Sequence, residues 1–404
     1  AQLRGLSTAQ ISGLTTTDMG ELSSTQLSAL GSTQVAALNT THLSALDSTQ
    51  MGALTTTQVS GLTSTQLGAL TTTDVGELSS TQISALSAAQ ISALGATNIG
   101  ALTTTQIGGL SSTQMAGISS TALSAFDSTQ MGALTTTQLS GLSAAQIGGL
   151  TTTDIGELSS TQVGGLSSAQ VAALGSTNLS ALDSTQMGAL TTTQMRGITN
   201  SQLAGLSTTD VGELSSTQVG ALSAAQIGAM GAGNFSALDS TQVGALSTTQ
   251  IRGITTTQLA GLSTTDVGEL SSTQLSALTP QQLNAMGSTN IGALTTTQMS
   301  GLASSQIGGL STTNLSALDS TQSAALTTTQ MRALTAAQLG GLSTTDVADL
   351  TSTQVAALGS TQIAALGATN FSTLDSTQVA ALSTTQLRGM TNSQVAGLTT
   401  TDVG

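Results

Sequence analysis

A large apolar residue stands at position 6 and at every eighth position after it through Leu398, without one insertion or deletion. A period so short and so rigid demands an array of near-identical units, each relying on its neighbours. The octad Leu54-Thr55-Thr56-Thr57-Gln58-Val59-Ser60-Gly61 is a clean copy, numbered here 1 to 8 from its leucine. Position 6 is Ile, Val, Leu, Met or Phe, with one lapse at Ser323, and positions 7 and 8 are mostly Ser, Gly and Ala.

Position 2 carries the local signal. It holds Thr, Ser, Asp, Asn or Gly, as in Thr55, Asp47, Asn39 and Gly31, with Ala303 the departure. Those residues suit a helix N-cap. Position 5, three residues on, is nearly always Gln, Asp or Asn, which completes the spacing of a capping box. The single proline, Pro280, directly follows the cap Thr279, where proline is welcome in a helix. One long helix is excluded, because eight residues advance a helix by two turns and roughly 80°, and the leucines would spiral round every side. Each octad therefore reads as one short helical segment, with positions 6 and 9 on its buried face. Segments below about 12 residues are marginal alone, so stability must come from stacking. The expected fold is an all-α repeat, a solenoid of short capped helices. Its rival is a β-solenoid, favoured by Thr and Val but opposed by the odd spacing of positions 1 and 6.

All 24 charged residues fall into three series. Arginine occupies position 7 at Arg4, Arg196, Arg252, Arg332 and Arg388. Aspartate caps stand at Asp47, Asp127, Asp183, Asp239, Asp319 and Asp375. The acidic octads give Asp18/Glu21, Asp74/Glu77, Asp154/Glu157, Asp210/Glu213, Asp266/Glu269, Asp346/Asp349 and Asp402. The steps are 56 or 80 residues, with an overall repeat of 192, for example Arg4 to Arg196. Seven, ten and 24 octads all return to one side of a coil with about 3.4 octads, roughly 27 residues, per turn. On that geometry the chain carries an acidic stripe and, on another side, a sparse arginine stripe. These are candidate surfaces for lateral self-association, and the blander reading is solubility with Asp favoured at helix N-termini.

Composition narrows the function. The net charge is −14 and lysine is absent, which argues against nucleic acid, since phosphate binding needs a basic surface. Without cysteine there is no disulfide framework or cysteine metal site. No apolar run approaches the ~20 residues of a membrane span. His42, the one histidine, replaces the usual Gln of position 5 and reads as a cap variant, with no nucleophile or acid beside it. The eleven methionines are variants of positions 1 and 6 and read as core. Neither a catalytic triad nor a phosphate-binding glycine loop is present, so no enzyme activity and no cofactor are expected. The Asp-x-x-Glu pairs lack the dense loop of a calcium motif and suggest at most weak cation binding.

The repeated Leu-(Thr/Ser)-Thr-Thr-Gln-Val-x-x-Leu octads resemble tracts in very long bacterial secreted or adhesin-like proteins. The resemblance implies a structural role at the cell surface or outside the cell and carries over no functional residues. The chain departs from calcium-binding adhesin repeats by lacking their Gly/Asp motif. The expectation is one continuous solenoid over residues 1–404, a window of a longer array, serving as a filament or adhesin stalk whose partner is itself, end to end and laterally. A Thr-rich surface binding ice or carbohydrate is the alternative.

Overall fold

The computed structural model describes residues 2–398, and Asp402 lies outside the described residues. Among the described residues the chain forms 49 short α-helices and one opening 3₁₀ turn, with no strand. The all-α solenoid expected from the caps is the fold, and the β-solenoid is not. The chain divides into two compact units, Ala1–Leu206 and Ser207–Gly404.

In the first unit, the octad of Gln58 shows how the sequence makes each helix. Thr55 is extended at φ −70°, ψ 156°, and the helix Thr56–Ser60 follows it. The Gln58 amide donates to Thr55 Oγ1 at 3.3 Å, and Gln58 Oε1 accepts from the Thr55 amide at 2.8 Å. Both arms of the capping box are therefore closed, which satisfies two donors that the helix start would leave orphaned. The helix stops after one turn because Gly61 and Leu62 tighten onto the carbonyls of Gln58 and Val59. Val59 is fully buried and Leu62 nearly so. Each such side chain contributes about 1.5–3 kcal/mol on burial, against about 1 kcal/mol for a cap, so the stacked core outweighs local capping.

The size of a turn follows from which residues meet. Gln58 Nε2 donates to Leu27 O at 2.8 Å and to Leu30 O at 2.9 Å, 31 and 28 residues back. A Cβ on Gly61 would meet Ser32 Cβ, 29 residues back, at 2.9 Å. Arg4 Nε reaches forward 25 residues to Ala29 O. Leu27 and Leu30 belong to the octads four and three before that of Gln58, as in a coil whose turn lies between three and four octads. The second unit repeats the pattern. Gln298 Nε2 donates to Val267 O and Leu270 O at 3.0 and 2.7 Å. Pro280 opens the helix Pro280–Ala285 behind the cap Thr279, as its position predicts. The core methionines Met51, Met131 and Met299 are buried at position 6, as expected.

Candidate functional site

The Gln carboxamide does more than close its own cap. Its oxygen serves the local helix, and its nitrogen serves the turn behind, donating at Gln58 to the carbonyls of Leu27, which also accepts from the Leu30 amide, and of Leu30. Capping-box logic accepts Glu as readily as Gln at this position. The absence of Glu from position 5 was the available sign that an N–H donor is required there.

The departures from this ladder are not scattered. Position 5 is something other than Gln at Asp18, His42, Asp74, Asn98, Ala122, Asp154 and Asn178 in the first unit. In the second unit it differs at Asp210, Asn234, Asp266, Asn290, Asn314, Asp346, Asn370 and Asp402, the last outside the described residues. Successive members are 24 or 32 residues apart, and seven steps carry Asp18 to Asp210, 192 residues or 27.4 per step. That is one per turn, so within each unit the substituted octads stack as a seam up one side. Reading the charges alone found only the acidic half of this seam.

Several other irregular features gather on it. The glycines with positive φ are Gly95, Gly175, Gly287 and Gly367, at φ +73° to +79°, and each is the position-2 residue of a seam octad. Three residues later stands an Asn, one methylene shorter than Gln. Asn98 Nδ2 bonds Leu70 O at 2.8 Å, and its helix Gly95–Gly100 follows the helix Ala88–Ala93 through Leu94 alone, with Gly95 in the left-handed conformation that a residue without Cβ adopts cheaply. Phe235 and Phe371 fill the core position directly after Asn234 and Asn370. His42 is buried against its cap, with Nε2 3.1 Å from Asn39 Nδ2 and its backbone amide donating to Asn39 Oδ1 at 2.8 Å. It is the cap variant that its position implies.

The acidic octads are built differently from a surface stripe. Asp74, Asp154 and Asp210 are buried, while Asp266 and Asp346 are partly covered; only Asp18 and Glu21, in the first turn, are exposed. Asp74 accepts from the Thr71 amide at 2.8 Å, as a capping-box acid should. It also accepts from Ser44 Oγ, 30 residues back, at 3.3 Å. Asp154 takes the same bond from Ser124 at 2.7 Å, and Asp266 from Ser236 at 2.6 Å. Glu77, Glu157, Glu213 and Glu269 are partly covered. Glu77, Glu157 and Glu269 each have one oxygen, Oε2, buried without a hydrogen-bond partner. Burial holds the Glu77 carboxyl above the usual carboxylate range, and the like charges of Asp74 and Asp47 add to it. Glu157 and Glu269 are raised by the same causes, with Asp154 and Asp127, and with Asp266 and Asp239. Asp18 is lowered instead, by its hydrogen bonds to Thr15. The cap aspartates and the acidic octads thus meet, as the 27-residue turn predicts. Among the described residues no group of three carboxylates or imidazoles converges to hold a metal ion.

The arginines lie elsewhere. Arg4, Arg196, Arg252, Arg332 and Arg388 are all exposed. Arg4 precedes Asp18, Arg252 precedes Asp266 and Arg332 precedes Asp346 by 14 residues, half of the 28-residue link between turns. Arg4 and Arg332 bond backbone carbonyls of the next turn, at 2.7 Å to Ala29 O and 3.3 Å to Ala357 O. The site residues proposed from sequence therefore divide between opposite sides of a turn.

One defect interrupts the core. Ser323 takes a buried position 6, and beside it a cavity of about 20 Å³ is lined by Leu326, Met331, Leu342 and Asp346 among others. That is room for about one water molecule and not for a larger ligand. No helix among the described residues is long and apolar enough to cross a membrane.

Ten stretches of the chain, some of them overlapping, match the ALTTAQ repeat: residues 13–48, 35–72, 43–80, 67–104, 123–160, 147–184, 195–232, 235–272, 267–304 and 336–368. No curated protein matches the chain.

Proposed function

This chain belongs to the ALTTAQ repeat family, and on that premise we propose that it is a structural protein, a self-stacking solenoid serving as a filament or stalk outside the cell or at its surface. The observation that carries this reading is the Gln ladder. Each regular octad offers its carboxamide to backbone carbonyls that every other octad also has, as Gln58 does to Leu27 and Leu30. An interface of that kind repeats without limit, because nothing in it distinguishes one turn from the next. The chain's chemistry is correspondingly sparse. His42 is engaged with its own cap, and the one cavity described above is water-sized. The absence of lysine and the low charge leave few sites for common proteases, which suits exposure outside the cell. Electron microscopy of the native material tests the proposal: filaments are expected, and compact isolated particles would reject it.

Lateral bundling is the second part of the proposal. Exposed arginines follow exposed cap aspartates by 13 residues, as Arg196 follows Asp183 and Arg252 follows Asp239, about half a turn, so copies lying side by side present opposite charges to each other. Single exposed ion pairs are worth ~0–1 kcal/mol, so bundling requires many in register. Replacing all five arginines by Ser, the residue already present at Ser60 and Ser140 in the same row, should abolish bundles while leaving single filaments intact. Unchanged bundles would remove this part alone.

A further inference from the structure

We propose that the acidic octads and the serines 30 residues before them form a register key that fixes how many octads make a turn. The regular ladder cannot do this. A Gln amide donates to backbone carbonyls, and a coil slipped by one octad would offer it the same carbonyls again, so every register satisfies it equally. An ionised Asp at position 5 is different, because it only accepts. At the native register its partner is a hydroxyl: Ser44 for Asp74, Ser124 for Asp154 and Ser236 for Asp266. One octad to either side, the residues in that place are Ala36 and Gly52, Ala116 and Gly132, and Gly228 and Gly244. None has a side-chain donor. A slip in either direction therefore leaves a carboxylate, buried at Asp74 and Asp154 and partly covered at Asp266, facing backbone oxygens with no side-chain donor between them, which is costly where water is excluded.

The same rule extends along the sequence. Asp346 is preceded by Ser316 with Gly308 and Ala324 on either side, although no hydrogen bond joins the two, in the turn that contains the cavity. A polar residue that sacrifices some stability to specify register is an attested device in coiled coils, where one buried Asn sets alignment. Here the key recurs every two or three turns, at the steps of 56 and 80 residues. Between keys the register-blind ladder holds the coil together. The inference rests on contacts between turns and not on the filament proposal, so either can fail without the other.

Engineered disulfides read the register directly, because the chain has no cysteine of its own. A Cβ on Gly109 would lie 3.2 Å from Ser80 Cβ. In a chain carrying Thr72→Cys, Ser80→Cys, Ala88→Cys and Gly109→Cys, the native register pairs 109 with 80. A slip of one octad pairs it with 72 or 88. With the seam intact the 80–109 product should exceed the others by about tenfold or more, the factor expected when slipping strands a buried acceptor. With Asp18, Asp74, Asp154, Asp210, Asp266, Asp346 and Asp402 all changed to Gln, the three products should approach equal yield while circular dichroism stays helical. Moving the donors one octad forward, by Ser44→Ala with Gly52→Ser, Ser124→Gly with Gly132→Ser, and Ser236→Gly with Gly244→Ser, should shift yield to 88–109. Undiminished dominance of 80–109 in the all-Gln chain would overturn the inference. So would loss of its helical signal, because the seam would then supply stability and not register.

Discussion

The octads of Gln58 and Asp74 begin alike, with a leucine, a threonine cap and a closed capping box, yet they treat the turn behind them in opposite ways. Gln58 gives two hydrogen bonds to Leu27 and Leu30. Asp74 gives none and takes one from Ser44. One exchange of an amide for a carboxylate reverses the polarity of the contact between turns. The regular octads are interchangeable and cohesive, whereas the seam octads are particular and less well satisfied. A repeat protein made only of the first kind would cohere without a unique alignment. One made only of the second would stack carboxylate on carboxylate.

The sharpest way to break this contrast is to move the carboxylate. Gln58→Glu keeps the length and the local cap but removes both donors to the preceding turn. It should cost about 2–4 kcal/mol at neutral pH, since two buried carbonyls and a charge lose their partners. Asp74→Asn should cost far less, because an amide in that place can still accept from Ser44 and can also donate. Urea unfolding of the two variants compares them, and equal costs would erase the distinction between ladder and seam.

A smaller effect is expected in the core. Ser323 marks the turn where packing lapses, whereas Val163 and Val355 occupy the same position fully buried. Ser323→Val should fill the cavity and stabilise the second unit by about 1 kcal/mol. A thermal melt that does not rise would show that the hydroxyl is satisfied better than the cavity suggests.

The smallest effect is the most diagnostic of the seam. Glu77, Glu157 and Glu269 have folded-state pKa values raised above the reference of 4.5. Below 4.5 the carboxyls are protonated in both folded and unfolded chains and cost nothing. As the pH rises from 4.5 through the folded value, the unfolded chain releases its protons more readily, so stability falls. The combined change to Gln should therefore raise the melting temperature at pH 7 and make no difference at pH 4. These side chains are partly solvated, and the gain at neutral pH should be modest. Asp18 opposes this trend, because its lowered pKa contributes stability that is lost as the pH falls below 3.8 and through the folded value.

What could be read in the sequence was local. The cap at Thr55, the proline at Pro280 and the buried pair Val59 and Leu62 follow from spacing within one or two octads. The non-integer turn was also legible, because the charges recur at 56 and 80 residues and only a turn near 27 residues aligns both. What escaped was set by contacts some 30 residues apart. The outward half of each Gln amide has no local signature, since the capping box explains the residue without it. The burial of Asp74 and Asp154 was concealed for the same reason: a charged residue at a helix start ordinarily faces water. The Asn-for-Gln changes at Asn98 and Asn178 are chemically conservative, and only their spacing of one per turn reveals that they belong with the aspartates.

The central claim is that each octad is held by the turn 28 to 31 residues before it. Segmentally labelled protein with the Gln58 carboxamide and the leucines of residues 27–30 enriched allows a direct test by nuclear Overhauser contacts. Cross-peaks from the Gln58 Nε2 protons to Leu27 and Leu30 are expected. Cross-peaks confined to residues 55–62, or a partner one whole octad away from those leucines, would contradict the account.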